Sequence, residues 1–182
     1  YEGRTHNAEV ADPIGMDTAF ADVFSDYSLQ ERLQILGYGS RDAYLEAHPT
    51  IEAKAKDMIA HYLTHVYPNG FKAQVVATSR EAAVRYKTHI DDALVSAIDD
   101  LEKNNPIRLN LNQLKAMKTD VIVSGSNDDL PHMKPYTDES RHESSIKSFK
   151  MAFGSEDEGV RGDMGILIVN NMLLTGFDAP SA

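Results

Sequence analysis

Four consecutive apolar residues, Ile166-Leu167-Ile168-Val169, constrain this chain more than any other stretch. No polar residue alternates with them, and β-branched side chains dominate. A strand with one wet face alternates, so an unbroken run suits a strand buried on both faces, as in a parallel sheet covered by helices. Polar residues then arrive abruptly: Asn170, Asn171 and, after Met172-Leu173-Leu174, Thr175, Gly176 and Asp178. In open α/β sheets ligands sit just beyond the carboxyl ends of the strands. A hydroxyl, a bare glycine backbone and a carboxylate therefore stand either where a ligand is expected or in an ordinary polar loop closing a core strand.

Two earlier stretches repeat the pattern. Ala73-Gln74-Val75-Val76-Ala77 reads as a strand, and Thr78-Ser79-Arg80-Glu81 follows it as a capping-box pattern opening a long helix. Ala82, Ala83, Tyr86, Ile90, Ala93, Leu94, Ala97, Ile98 and Leu101 give that helix its buried stripe. A second strand is expected over Val121-Ile122-Val123-Ser124-Gly125, with a polar loop from Ser126 to Pro131 at its carboxyl end. Leu109, Leu111, Leu114 and Met117 mark a short connecting helix before it. Asp138 to about Met151 reads as a helix with Ile146 and Phe149 inward, and Gly154, Gly159 and Gly162 among acids make Phe153 to Asp163 a mobile, solvated loop. Strand-helix-strand-helix-strand implies an α/β fold with a parallel sheet and right-handed crossovers.

The chain upstream is helical. Ile51, Ala55, Met58, Ile59, Tyr62, Leu63 and Val66 recur at steps of three and four, so a helix is expected from Thr50 to Val66, ended by Tyr67-Pro68-Asn69-Gly70. Residues 1–50 are irregular and acidic, with a short helix from Ser28 to Leu36 and another from Ser40 to Ala47. Gly37-Tyr38-Gly39-Ser40-Arg41 between them follows no strand and lacks the lysine of a phosphate loop, so it reads as a helix-helix turn. His61 and His65 lie one turn apart, but no third ligand accompanies them, and no metal site is expected.

Charge and composition narrow the function. The chain of 182 residues carries a formal charge of −10, whereas a free-standing non-specific nucleic-acid binder is basic because its affinity comes from Lys and Arg displacing counterions. That leaves room for a few placed contacts within a larger, positively charged channel. There is no cysteine, hence no disulfide and no thiolate metal site, which fits a reducing, cytoplasmic location. No apolar run approaches the roughly 20 residues that cross a bilayer, so no membrane partner is expected.

The three strand tips, Thr78-Ser79-Arg80, Ser124-Gly125-Ser126 and Thr175-Gly176-Phe177-Asp178, are expected along one sheet edge. A strand running directly into a helix N-terminus leaves backbone N–H groups and the positive dipole end at that edge, and Arg80 adds a planar fork of donors suited to phosphate. Asp138-Glu139-Ser140-Arg141-His142 has the residue types of an Asp-Glu-x-His box but one residue too many, and Lys134-Pro135-Tyr136 precedes it instead of an apolar strand. It is therefore set aside as a metal-nucleotide motif.

Taken together, Phe71 through Ala83 resembles the fourth helicase motif region of the restriction subunits of type I restriction-modification enzymes, and Asn170 through Pro180 resembles their fifth motif. Val123 to Asn127 and Ser145 to Lys150 fit between the two, and Tyr1-Glu2-Gly3-Arg4 resembles the linker leaving the first motor domain. The resemblance implies a linker and helical extension over residues 1–50, then a second RecA-like (P-loop NTPase-type) motor domain over residues 51–182, cut off after the fifth motif. It implies a double-stranded DNA translocase acting with methyltransferase and specificity subunits. Thr78, Ser79, Arg80, Ser124, Gly125, Ser126 and Thr175 would contact DNA phosphates, and Gly176 and Asp178 would approach ATP and Mg²⁺ held mainly by an absent first motor domain. No Gly-x-x-x-x-Gly-Lys-Thr loop and no endonuclease carboxylate-lysine core occur here, so this stretch alone is expected neither to hydrolyse ATP nor to cut DNA. Two other readings stay open: the same domain in another superfamily-two helicase or remodeller, and a non-enzymatic α/β module that binds a protein partner.

Overall fold

The computed structural model describes residues 45–127 and 129–172. The expected helix Ser28–Leu36, the turn Gly37–Arg41, most of the helix Ser40–Ala47, and Thr175, Gly176, Phe177 and Asp178 lie outside the described residues.

The central strand is the apolar run, extended to Met164–Val169 and buried at every position. Its side chains split by parity. Ile166 and Ile168 join one hydrophobic cluster with Val121, while Leu167 and Val169 join another with Ile122 and Phe149. Helices cover both faces, which is why the run tolerates no polar residue.

Helix α1, His48–His61, carries Pro49 in its first turn and buries Ile51, Ala55 and Ile59. Strand β1 is Ala73–Val76 and helix α2 is Arg80–Lys103, with the expected stripe from Ala82 to Ile98 turned inward. Helix α3, Leu111–Ala116, leads into strand β2, Lys118–Ile122, and helix α4 is Glu139–Lys150. Strands β3 (Glu156–Asp157) and β4 (Val160–Arg161) pair antiparallel, and β5 is the central strand. Both β1 and β2 pair with β5 in parallel, in the order β1-β5-β2. The crossover through α2 moves two positions across the sheet, and the one through α4 moves one position back. Right-handed connections of opposite sense put their helices on opposite faces. Accordingly α1 and α2 pack on the Ile166–Ile168 face and Phe149 of α4 on the other.

Four expectations need correction. The helix expected to run to Val66 changes to a π-helical turn over Tyr62–Val66, then a tight turn over Tyr67–Asn69 closed by Gly70 in the left-handed region. Tyr62 and Tyr67 are both buried and stand five apart, and the Tyr67 N–H reaches the Tyr62 carbonyl. A π turn has this period, so it holds both rings in the core where a regular helix would rotate one outward.

The second strand begins and ends three residues earlier than expected, because its ladder is set by β5, with Ile122 opposite Val169. The polar Thr119 and Asp120 belong to it and are buried because other elements supply partners. Thr119 Oγ1 donates to Asp91 on α2. Asp120 accepts from Arg141 Nε at 3.0 Å, Arg141 Nη2 at 2.5 Å and Ser145 Oγ at 2.5 Å.

The expected mobile loop, Phe153 to Asp163, is instead the β3–β4 hairpin. Glu158 and Gly159 both have positive φ, the requirement of a two-residue turn matching strand twist. Ser148 Oγ donates to the Arg161 carbonyl at 2.5 Å and accepts from Met164 N–H at 3.0 Å, fastening the hairpin to α4. Finally, the cap of α2 is Ser79, whose Oγ accepts from Ala82 N–H at 3.0 Å; the Thr78–Glu81 capping box does not form. Glu81 is drawn away to Arg85 at 3.4 Å and His132 at 2.8 Å.

Candidate functional site

Among the described residues, the carboxyl ends of β1, β2 and β5 meet at one rim. Asn170, directly after β5, donates from Nδ2 to the Ala77 carbonyl at 3.0 Å, while Ala77 N–H reaches the Val169 carbonyl at 2.8 Å. These bonds tie the tips of β1 and β5. The loop after β2 is tied to the start of α2 twice, by Arg80 with Asp129 and by Glu81 with His132. An open depression of about 510 Å³ lies between these loops, lined by residues that include Thr78, Ser79, Arg80, Glu81, Asp129 and Asn170.

Of the sequence-predicted residues, Thr78, Ser79 and Arg80 line this depression. Ser126 is joined to it indirectly: its backbone N–H donates to Asp129 Oδ2 at 2.7 Å. Ser124 and Gly125 are exposed on the same loop but do not line the depression. The first turn of a helix leaves N–H groups without intrahelical acceptors, and Ser79 satisfies only that of Ala82. The rim thus offers hydroxyls, helix-start N–H groups and one guanidinium.

The sequence offers Arg80 as a fork of donors suited to phosphate. It is instead paired, through Nη2, with Asp129 Oδ1, and only 26% of its side chain is exposed against 6% for the carboxylate. Glu46 and Glu81 also line the depression, so around Arg80 acids outnumber bases. Arg85 partly offsets them, lying 3.4 Å from Glu81 and donating to the Glu46 carbonyl at 2.7 Å. Chemically the rim could hold an oxyanion by backbone N–H and Arg80 once the pair with Asp129 opens, and among the described residues it presents no nucleophile held by a base.

His61 and His65 are exposed, with ring centroids 4.9 Å apart, and no group of three potential metal ligands occurs among the described residues. In the Asp138–His142 stretch, Asp138 caps α4 through the Arg141 N–H at 3.0 Å, Arg141 binds Asp120, and His142 Nε2 lies 2.7 Å from the Tyr136 carbonyl.

The sequence alone does not single out two residues of the rim, Asp129 and Asn170, or Lys72, which is buried away from it. Asp129 sits in a run of polar residues where nothing singles it out; only the fold brings Arg80, 49 positions away, to it. Asn170 had been noted as polar, but its reach to β1 depends on the parallel pairing. Lys72 is buried, donating to the carbonyls of Ser148 at 2.8 Å and Gly162 at 3.2 Å, with its Nζ 4.8 Å from the Phe153 ring centroid. Burial pulls its pKa down to about 8, opposed in part by Asp163.

No helix among the described residues is long and apolar enough to cross a membrane. No protein-family model matches the chain. The chain is similar to a protein of Methanocaldococcus jannaschii named for the endonuclease subunit of a type I restriction enzyme, MjaVIIIP: 27% of positions are identical over 138 residues, which make up 75% of this chain and 12% of that protein.

Proposed function

We propose that this chain is part of the ATP-dependent double-stranded DNA translocase of a type I restriction enzyme. In this reading it forms most of a second RecA-like motor domain, preceded by a linker and helical extension over residues 1–50. One observation carries the reading: three parallel strand tips tied to one rim that carries Thr78, Ser79 and Arg80, with the Ser126 N–H joined to it through Asp129. The parallel sheet with helices on both faces is what such a domain requires, and the similarity to an endonuclease subunit of a type I restriction enzyme points the same way.

The rim grips the phosphodiester backbone of DNA. Arg80 supplies a forked donor, the start of α2 and Ser126 supply backbone N–H groups, and Thr78 and Ser79 supply hydroxyls; these fix position on a duplex without reading sequence. Ser124, Gly125 and Thr175 complete the contact, and Gly176 and Asp178 approach ATP at the cleft facing the other motor domain. Recognition of a target sequence and methylation belong to partner subunits.

The described residues do not make a nucleotide site by themselves. They contain neither a phosphate loop nor a group of three potential metal ligands. ATP and Mg²⁺ would be held chiefly by the first motor domain. Phosphoryl transfer depends on positioning and charge stabilisation by those absent parts, so this stretch alone neither turns over ATP nor cuts DNA.

The test uses the complete protein that contains this chain. ATP-driven translocation along duplex DNA is compared for the wild type, Arg80→Ala and Thr175→Ala. A loss of roughly tenfold or more in both variants, with folding intact, is expected from removing phosphate contacts. Translocation at wild-type rates in both would refute the motor reading and favour an α/β module whose acidic rim binds a protein partner.

A further inference from the structure

We propose that the Asp129 carboxylate is a built-in stand-in for a DNA phosphate, occupying the Arg80 guanidinium and the Ser126 amide until a phosphodiester group displaces it. This inference rests on the DNA-binding reading above.

The geometry at Asp129 is that of an occupied oxyanion site. One carboxylate oxygen, Oδ1, takes the Arg80 guanidinium, and the other, Oδ2, takes the Ser126 backbone N–H at 2.7 Å. A guanidinium and a backbone amide are donors that bind phosphate as readily as carboxylate, and in similar directions. They come from different elements, the start of α2 and the loop after β2, and meet on one anion. The carboxylate is shielded, 6% exposed, so the pair is not a loose surface contact. Ser126 and Asp129 are also joined by a backbone bond, Asp129 N–H to the Ser126 carbonyl at 3.2 Å, which keeps the carboxylate beside the amide it occupies.

Two consequences follow. While Asp129 is seated, the guanidinium of Arg80 is neutralised, and the acids left at the rim to meet an approaching polyanion are Glu46 and Glu81. A phosphate arriving singly must break both bonds of Asp129 and overcome those charges. A duplex held by other parts of the protein brings its phosphate at high local concentration and can make the exchange. Affinity is lowered by the fraction of molecules in which the site is open. Asp129 is a gating residue in this scheme, acting through Arg80 and Ser126.

Asp129→Asn tests it, since the amide keeps the shape and an acceptor oxygen but loses the charge. In the complete protein, equilibrium binding of a short duplex is measured for the wild type, Arg80→Ala, Asp129→Asn and the double variant. The expected result is weaker binding by Arg80→Ala, roughly tenfold tighter binding by Asp129→Asn, and a double variant no tighter than Arg80→Ala. If Arg80→Ala binds like the wild type, the DNA-binding reading itself fails. If Arg80→Ala weakens binding but Asp129→Asn binds no tighter than the wild type, that reading stands and the stand-in role is overturned. The same titration with ATP separates the two sources of phosphate: a gain confined to ATP also overturns the proposal.

A readout without mutation guards against misfolding of the variant. In the wild type, the Ser126 amide resonance is expected to shift when duplex is added, as its acceptor changes from carboxylate to phosphate. An unmoved Ser126 amide in a DNA-saturated wild type overturns the proposal.

Discussion

Asp120 shows how a single residue can be bound to its place by chemistry that its neighbours in sequence do not supply. Its carboxylate lies in a strand, 3% exposed, and every hydrogen-bond donor it meets there except the Val121 N–H comes from α4. Arg141 also rests its guanidinium 5.0 Å from the Tyr136 ring centroid and donates to the Pro135 carbonyl at 3.1 Å. Asp120 raises the Arg141 pKa, chiefly by hydrogen bonding. The Arg141 side chain is 39% exposed, but removing it leaves the buried Asp120 carboxylate uncompensated, which is more damaging than losing the attraction itself. Arg141→Ala is therefore expected to destabilise the fold by about 2–3 kcal/mol, softened by the Ser145 hydroxyl that remains. Urea unfolding of the variant checks this. The double change Asp120→Asn with Arg141→Ala should recover part of the loss, because no charge is then stranded.

At the scale of elements, the β3–β4 hairpin depends on close backbone approach more than on strand propensity. A Cβ on Gly162 would lie 2.1 Å from the Ala152 carbonyl oxygen, a backbone atom that cannot swing aside. The Gly162 N–H also reaches the Ser155 carbonyl at 2.8 Å, and its own carbonyl receives Lys72 at 3.2 Å. Gly162→Ala should cost roughly 2–3 kcal/mol through the backbone shift it forces. Hydrogen exchange in the variant should quicken first at Ser155 and Gly162, with the β1-β5-β2 ladder retaining protection. Uniform loss across the sheet would mean the hairpin is not a separable unit. Lys147 adds bonds to Asp157 at 3.0 Å and Glu158 at 2.7 Å, but these are exposed and contribute little beside the glycine.

For the whole molecule, pH-dependent stability should carry the mark of Lys72. Its pKa falls from 10.5 in the unfolded chain to about 8 in the folded one, because burial disfavours the ammonium. Below pH 8 both states are protonated and the full penalty is present. Between 8 and 10.5 the folded state gives up its proton first, the unfolded state binds more protons, and stability rises with pH. Buried tyrosines act in the opposite sense. Tyr67 is pushed up to about 12, and Tyr62 and Tyr86 are also raised, so above pH 10 the unfolded state ionises first and stability falls. The Lys72 contribution is thus read between pH 8 and 10. Urea midpoints there should climb for the wild type relative to Lys72→Met, whose curve lacks the rise. Parallel curves would show that Lys72 is not held in a depressed state. The charge of −10 makes a long-range pull on DNA by this chain alone unfavourable, so under the proposed function recognition rests on placed contacts.

The amino-acid sequence alone determined what repeats along the chain. The unbroken run Ile166–Val169, the stripe of α2 from Ala82 to Ile98 and the inward Phe149 of α4 announced a sheet with helices on both faces, because burial on a regular element imposes a period that can be read. Where polar residues are buried, the period is lost. Thr119 and Asp120 belong to a strand only because Asp91, Arg141 and Ser145 meet them, and Phe153 to Asp163 forms a hairpin only because α4 and Lys72 hold it. The rim divides in the same way. Thr78, Ser79 and Arg80 were legible as the end of a strand opening a helix, a local pattern. That Arg80 is already engaged by Asp129 was not, because an ion pair between loops 49 residues apart exists only once the sheet has set those loops side by side.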